Sequence, residues 1–346
     1  MNIWQRFSTP TCSDRERPTR PRTAAVLLTA AFVCSLLGAV FFGSTATSVV
    51  QAVRAALAGD AADAAFRILI YVRLPRVCAA VLAGSALAVS GAVIQAVLQN
   101  PMAGPNVIGV NAGAGLAACL LIALFPEALR LLPWAAFLGA LAACLLIYGI
   151  ARITGAGRVT ITLAGVAVSS ILSAGINTVK TVLPDSLYNT NSFLVGGLAG
   201  VSYERLSPAC WLIAFALPAA LLLARQLDVL RLGADAAGSL GMHVGRMRFL
   251  LLALASVLAG AAVSFAGLLG FVGLLAPHIA RRLVGGSHRR LLPVCAAGGA
   301  TLVLLCDLAA RALFAPYEVP VGILLSFVGG PFFLALLLLG GKEERS

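Results

Sequence analysis

Residues 73–115 read RLPRVCAAVLAGSALAVSGAVIQAVLQNPMAGPNVIGVNAGAG, and this stretch decides the fold class. Between Val77 and Leu98 there is no charged residue, and the apolar residues run on continuously instead of alternating with polar ones. A hydrocarbon core about 30 Å thick asks for about 20 such residues in a helix. The period-two alternation of a membrane-spanning barrel strand is missing. The stretch is therefore predicted to be a membrane-spanning helix. The turn after it, from Gln99, holds Pro101 and Pro105 and then Gly104, Gly109, Gly113 and Gly115. Such residues shape a tight turn rather than a solvated linker, and the small ones let helices approach closely.

Working outward, the same pattern fills the chain. Of 346 residues, 60% are hydrophobic and 11% charged, and the mean hydropathy is +0.98, too apolar for a water-soluble domain. Further spans are predicted at 24–42, 107–125, 131–151, 159–181, 207–224, 249–269, 273–284, 291–314 and 320–340, which with 77–98 makes ten. The expected fold is an all-α integral membrane protein: a basic tail at 1–23, a ten-helix domain at 24–341 with a long connection at 225–248, and a short tail at 342–346.

Arg6, Arg15, Arg17, Arg20 and Arg22 precede the first apolar run and give it the look of a secretory signal. A signal core is only about 7–15 residues long, so the run reads as an uncleaved helix with its basic flank in the cytoplasm. Of the 25 Lys and Arg residues, seventeen fall on the side of the N-terminus and eight on the other. That asymmetry is the positive-inside pattern, and it puts both termini in the cytoplasm. The span at 273–284 is short, contains Pro277 and follows Gly267, Gly270 and Gly273. A bend at membrane depth is expected there, covered by neighbouring protein.

Several chemistries lack their residues. A phosphate-binding loop needs G-x-x-x-x-G-K-[ST], and the Lys180-Thr181 pair has Val179 and Ala174 where the glycines belong. Nucleotide hydrolysis is therefore not expected of this chain. A proton-coupled carrier, the rival reading, usually places several ionisable groups inside its spans. Here Asp307 stands nearly alone, four residues before Arg311, and an intrahelical pair is expected. His243, His278 and His288 have no carboxylate or cysteine at ligand spacing, so no metal site is predicted. Seven of the eight cysteines lie in or beside apolar segments without C-x-x-C spacing and read as small apolar filler. Cys12, in the basic tail, receives no role.

Three segments remain informative. Arg73 and Arg76 place cations at the outer mouth of a span, either snorkelling toward lipid phosphate or forming a rim for acidic residues of a partner. The turn after Gln99 is either a packing turn or a constriction on the exit side. In the 225–248 connection, Gly233-Ala-Asp-Ala-Ala-Gly-Ser-Leu-Gly241 predicts a short helix between glycines. There Leu240 and Met242 offer apolar contacts to a cytoplasmic groove.

These segments, in this order, resemble the FecCD-type permease family, which imports ferric siderophores, haem and cobalamin. The resemblance rests on residues 73–115 together with LAGVAVSS, GADAAGSLGMHVG, AGLLGFVGLLAPHIARRLVG, HRRLLP and DLAARALFAPYEVPVGILLSFVGGPFF. It implies a type II ABC importer permease, paired as a homodimer or with a paralogue in the inner membrane of a bacterium. Its partners would be two cytoplasmic ATPase subunits, which bind the ATP and Mg, and an extracytoplasmic substrate-binding protein. No cofactor and no nucleic acid are expected. The resemblance makes Arg73, Arg76 and Arg311 docking positions for the binding protein. Asn100 and Met102 become cytoplasmic-gate positions. Gly233, Ala234, Asp235, Ala236, Ala237, Leu240, Gly241 and Met242 become the ATPase-coupling segment. A second gate position, small and hydroxylated in the cobalamin-type relative, falls near Arg158-Val159 here, a departure from the pattern. The cargo implied is a metal chelate, ferric siderophore first.

Overall fold

The computed structural model describes residues 21–42, 49–58, 63–155, 157–314 and 317–343. The tail cations Arg6, Arg15, Arg17 and Arg20, with Cys12 and Arg345, lie outside the described residues. Among the described residues there are helices and turns and no strand. The helices are α1 (Pro21–Phe41), α2 (Val49–Ala58), α3 (Ala64–Ile68), α4 (Leu74–Leu98), α5 (Val110–Leu124), α6 (Leu132–Ile153), α7 (Arg158–Val182) and α8 (Leu187–Val195). They continue with α9 (Tyr203–Leu222), α10 (Ala224–Leu230), α11 (Ala234–Ser239), α12 (Val244–Ala266), α13 (Val272–Val284), α14 (His288–Leu313) and α15 (Val321–Glu343).

Six helical stretches are long and apolar enough to cross a membrane, and α1, α5 and α15 contribute shorter apolar runs. Helix α13 has 13 residues, about 20 Å at 1.5 Å per residue, short of a full crossing. Its predicted bounds of 273–284 were close, but it stands apart from the apolar spans. Two boundaries move more. A π-helical stretch, Leu69–Arg73, joins α3 to α4, so one helical run of 35 residues extends from Ala64 to Leu98. Helix α12 begins at Val244, five residues before the predicted 249.

Helices α4 and α12 form the centre. Ser90 on α4 donates to the Ala255 carbonyl of α12 at 2.7 Å, and α14, α13, α9 and α6 surround the pair. Small residues set these distances. Added Cβ atoms at Gly84 and Gly91 would collide with the backbones of Gly299 and Gly273, and Gly113 meets Gly139 in the same way between α5 and α6. In lipid, where tails are as apolar as Leu, this close van der Waals contact holds helices together.

The break between α12 and α13 is covered as predicted. Gly197 N–H donates to the Ala266 carbonyl at 2.9 Å, and Leu268 N–H to the Phe193 carbonyl of α8 at 3.2 Å. Gln95 Nε2 reaches the Gly273 carbonyl at 3.1 Å. Freed backbone groups are thus satisfied by protein, the condition for irregular chain at membrane depth.

Overpacking the α4–α13 contact should be severe. Gly91→Val is expected to cost about 3 kcal/mol, read as lost monodispersity and a lowered melting temperature in detergent. Gly149→Val, where nothing lies within 4 Å of an added Cβ, should behave like the parent.

Candidate functional site

At one end of the bundle lie the three arginines that the resemblance makes docking positions, Arg73, Arg76 and Arg311. They are 5%, 8% and 4% exposed, and each guanidinium has partners within the chain. The helical run that begins at Ala64 carries Arg73 and Arg76 within it. Arg76 Nη2 meets Asp307 Oδ1 at 2.9 Å, and Arg311 Nε meets Asp307 Oδ2 at 3.1 Å. Arg76 Nη1 also bonds Glu318 Oε2 at 2.8 Å. The Asp307–Arg311 pair was legible from spacing; its bridge to Arg76, 231 residues away, was not.

The cations also close the end of α1. Arg73 Nη1 donates to the Val40 and Phe41 carbonyls at 3.0 and 3.2 Å, and Arg311 Nη1 to the Phe42 carbonyl at 3.0 Å. Terminal carbonyls of a helix lack intrahelical partners and carry partial negative charge, so guanidinium groups are apt caps. Beside the cluster lies a cavity of about 230 Å³ whose polar lining includes Arg76, Asn189, Ser192, Arg205 and Glu318.

At the other end stands the predicted short helix. Gly233 and Gly241 flank α11 with φ of 106° and 81°, a region where a Cβ is strained. Gly233 donates to the Leu230 carbonyl at 3.2 Å, and Met242 to the Ala237 carbonyl at 3.0 Å. The segment closes on itself, buries Ala237 completely and leaves Leu240 66% exposed. Asp235, Ala236 and Gly241 are exposed, while Gly233, Ala234 and Met242 are half-buried. An open groove beside it is lined by Arg225, Val229, Leu240, Met242, Arg246 and Met247. The preceding α10 is anchored by Asp228, which accepts from His288 N–H at 2.9 Å and contacts its ring Nδ1 at 2.6 Å. Burial pushes the Asp228 carboxyl up, but these bonds outweigh it and hold the group below the usual carboxylate range.

Between the ends runs α7. Ser170, Ser173 and Asn177 are exposed on one face, and with Asn106 and Ser169 they line an open groove. The hydroxyls of Ser170, Thr178 and Thr181 bond back to carbonyls four residues earlier, which softens their cost in an apolar setting. The predicted gate residues sit nearby in the turn. Asn100 and Met102 are both exposed, and Asn100 Oδ1 accepts from Met102 N–H at 2.9 Å. Gln99, not singled out in the sequence, bonds both Arg158 and the Leu230 carbonyl. Its single signal was its place at a helix end next to two prolines.

A family model described as the FecCD transport family matches residues 27–339. The chain belongs to the FecCD transport family. The permease is 39% identical over 274 residues to the Fe(3+)-citrate import system permease protein YfmE of Bacillus subtilis (strain 168), covering 79% of this chain and 82% of that protein. It is 39% identical over 290 residues to the hemin transport system permease protein HmuU of Yersinia pestis, covering 82% and 86%. A solved inward-facing conformation of a metal-chelate type ABC transporter superposes with a TM-score of 0.81 at 27% identity, over 92% of this chain and 99% of that one.

Truncating the shared carboxylate tests the cluster. Asp307→Ala leaves two buried guanidinium groups without their common partner, so a loss of about 3–5 kcal/mol is expected. Thermal unfolding of the detergent-solubilised permease measures it, and a shift no larger than that of an exposed-site alanine would contradict the pairing.

Proposed function

We propose that the permease is the membrane subunit of an ATP-driven importer that carries a metal chelate inward, with ferric siderophore as first choice and haem or cobalamin next. The observation that carries the reading is α11, a self-closed helix held out between two left-handed glycines with Leu240 exposed. It stands in a chain whose family match runs from residue 27 to 339. A motor on a separate subunit needs a handle of this kind, since this chain lacks the phosphate-binding loop in its sequence.

Two copies of the chain, or one with a paralogue, would build the pathway. The cavity beside the ion cluster, about 230 Å³, falls below the roughly 300–1,000 Å³ of small-ligand sites. The open polar face of α7 is the better wall, because Ser and Asn side chains inside a membrane belong against protein or water rather than lipid. Both termini would lie in the cytoplasm, on the side of α11 and of the two ATPase subunits. ATP binding would draw those subunits together, and α11 would pass the movement to the spans. Asn100 and Met102 would stand at the cytoplasmic constriction.

The binding protein would dock at the opposite end. There the buried Arg73, Arg76 and Arg311 form the frame, while exposed Arg205 and half-exposed Glu318 stand beside the cavity. The proton-coupled alternative gains nothing from this geometry, since Asp307 is clamped between two arginines.

The test is uptake in proteoliposomes holding the permease, its ATPase and its binding protein. Import should stop on ATP depletion and persist with a protonophore. Leu240→Glu should lower import by about tenfold, the effect of about 1.4 kcal/mol at a docking contact. Import that survives ATP depletion and collapses with the protonophore would defeat the proposal.

A further inference from the structure

Gln99 ends α4 with φ 47° and ψ 41°, a left-handed conformation that only two non-glycine residues adopt among the described residues. Such strain persists where the surroundings fix the residue. What fixes Gln99 is its side-chain amide. Nε2 donates to the Leu230 carbonyl at 2.7 Å, and Oε1 accepts from Arg158 Nη1.

Each partner is the end of a functional element. The Leu230 carbonyl also accepts the N–H of Gly233 at 3.2 Å, so the amide reaches the peptide group that sets the entry into α11. Arg158 is the first residue of α7, the helix with the polar face. Farther along the same turn, the Val107 carbonyl lies so close to Gly165 of α7 that an added Cβ there would collide with it. One side chain therefore spans the exit turn, the root of α11 and the start of α7.

We propose that Gln99 is a positioning residue that locks the root of α11 to the start of α7, so that displacement of α11 is delivered to the pathway wall through this amide. The inference rests on the importer reading above and names a part of its transmission. An amide is needed because the joint uses a donor and an acceptor at once. A carboxylate would keep the Arg158 contact but could not donate to the Leu230 carbonyl, and an apolar side chain would keep neither.

The experiment measures ATP hydrolysed per molecule imported in proteoliposomes of the complete complex. Gln99→Leu is expected to raise that ratio about fivefold, the low end for one coupling link. Gln99→Glu should raise it similarly, because the link to Leu230 is lost. Adding Arg158→Leu to Gln99→Leu should change little, since partners in one joint are not additive. An unchanged ratio in Gln99→Leu, a parental ratio in Gln99→Glu, or additive effects in the double variant would each overturn the proposal. Should Gln99→Leu fail to assemble, Gln99→Glu and Arg158→Leu alone carry the same measurement, and parental ratios in both would overturn it. A parent complex whose import ignores ATP would instead remove the importer reading itself.

Discussion

A buried carboxylate with two guanidinium partners organises one end of this molecule. Asp307 is 1% exposed, and an isolated charge in such a place would cost several kcal/mol, about the penalty that pairing must offset. Arg76 and Arg311 supply the pairing, and their remaining N–H groups turn to Glu318 and to the carbonyls that end α1. Three consequences follow from one constraint. Helix α14 cannot slide along α4, α1 must end where its carbonyls meet Arg73 and Arg311, and the segment at Glu318 is drawn over the cluster.

Backbone proximity adds a second constraint. Glycine pairs bring α4 against α14 and α13 so closely that main chain touches main chain, and packed cores of this kind resist continuous deformation. The short α13 is held inside that frame through Gly273, which contacts Gly91 and accepts from Gln95. The broken chain is thus part of the rigid centre. Movement must be sought elsewhere in the bundle.

Much of this was legible in the sequence where the signal is local. Continuous apolar runs gave the all-helical membrane fold, the Gly233 and Gly241 pair gave α11, and the four-residue spacing gave the Asp307–Arg311 contact. The proline and glycines around 267–277 gave the covered break. What escaped depends on contacts between distant segments. The Arg76–Asp307 bond joins residues 231 apart, and no local pattern encodes it. The burial of Arg73 and Arg76 was not legible because Arg-Leu-Pro-Arg looks like a helix start, whereas Ala64–Ile68 and a π-helical stretch carry the helix through it. Helix α8 was missed because Asn, Thr and Ser blunt its apolar signal, and its purpose is tertiary: the Phe193 carbonyl receives the Leu268 N–H of the break.

The two ends therefore differ in kind. The arginine end is held by ion pairs among buried groups and by capped carbonyls, interactions that are strong and expensive to break one at a time. The α11 end is held by hydrogen bonds between half-exposed side chains and buried partners, Gln99 with Leu230 and Asp228 with His288, each worth about 0.5–1.5 kcal/mol when neutral and more when charged. Helix α7 is much less covered within the single chain: 22% of its apolar stretch is buried, against 78% for the run containing α4. In the proposed importer, a force applied at α11 would meet the glycine-packed frame of α4, α13 and α14 on one side and the less covered α7 on the other. On that proposal the polar face of α7 is the surface such a force would move, while the glycine-packed centre would keep its shape.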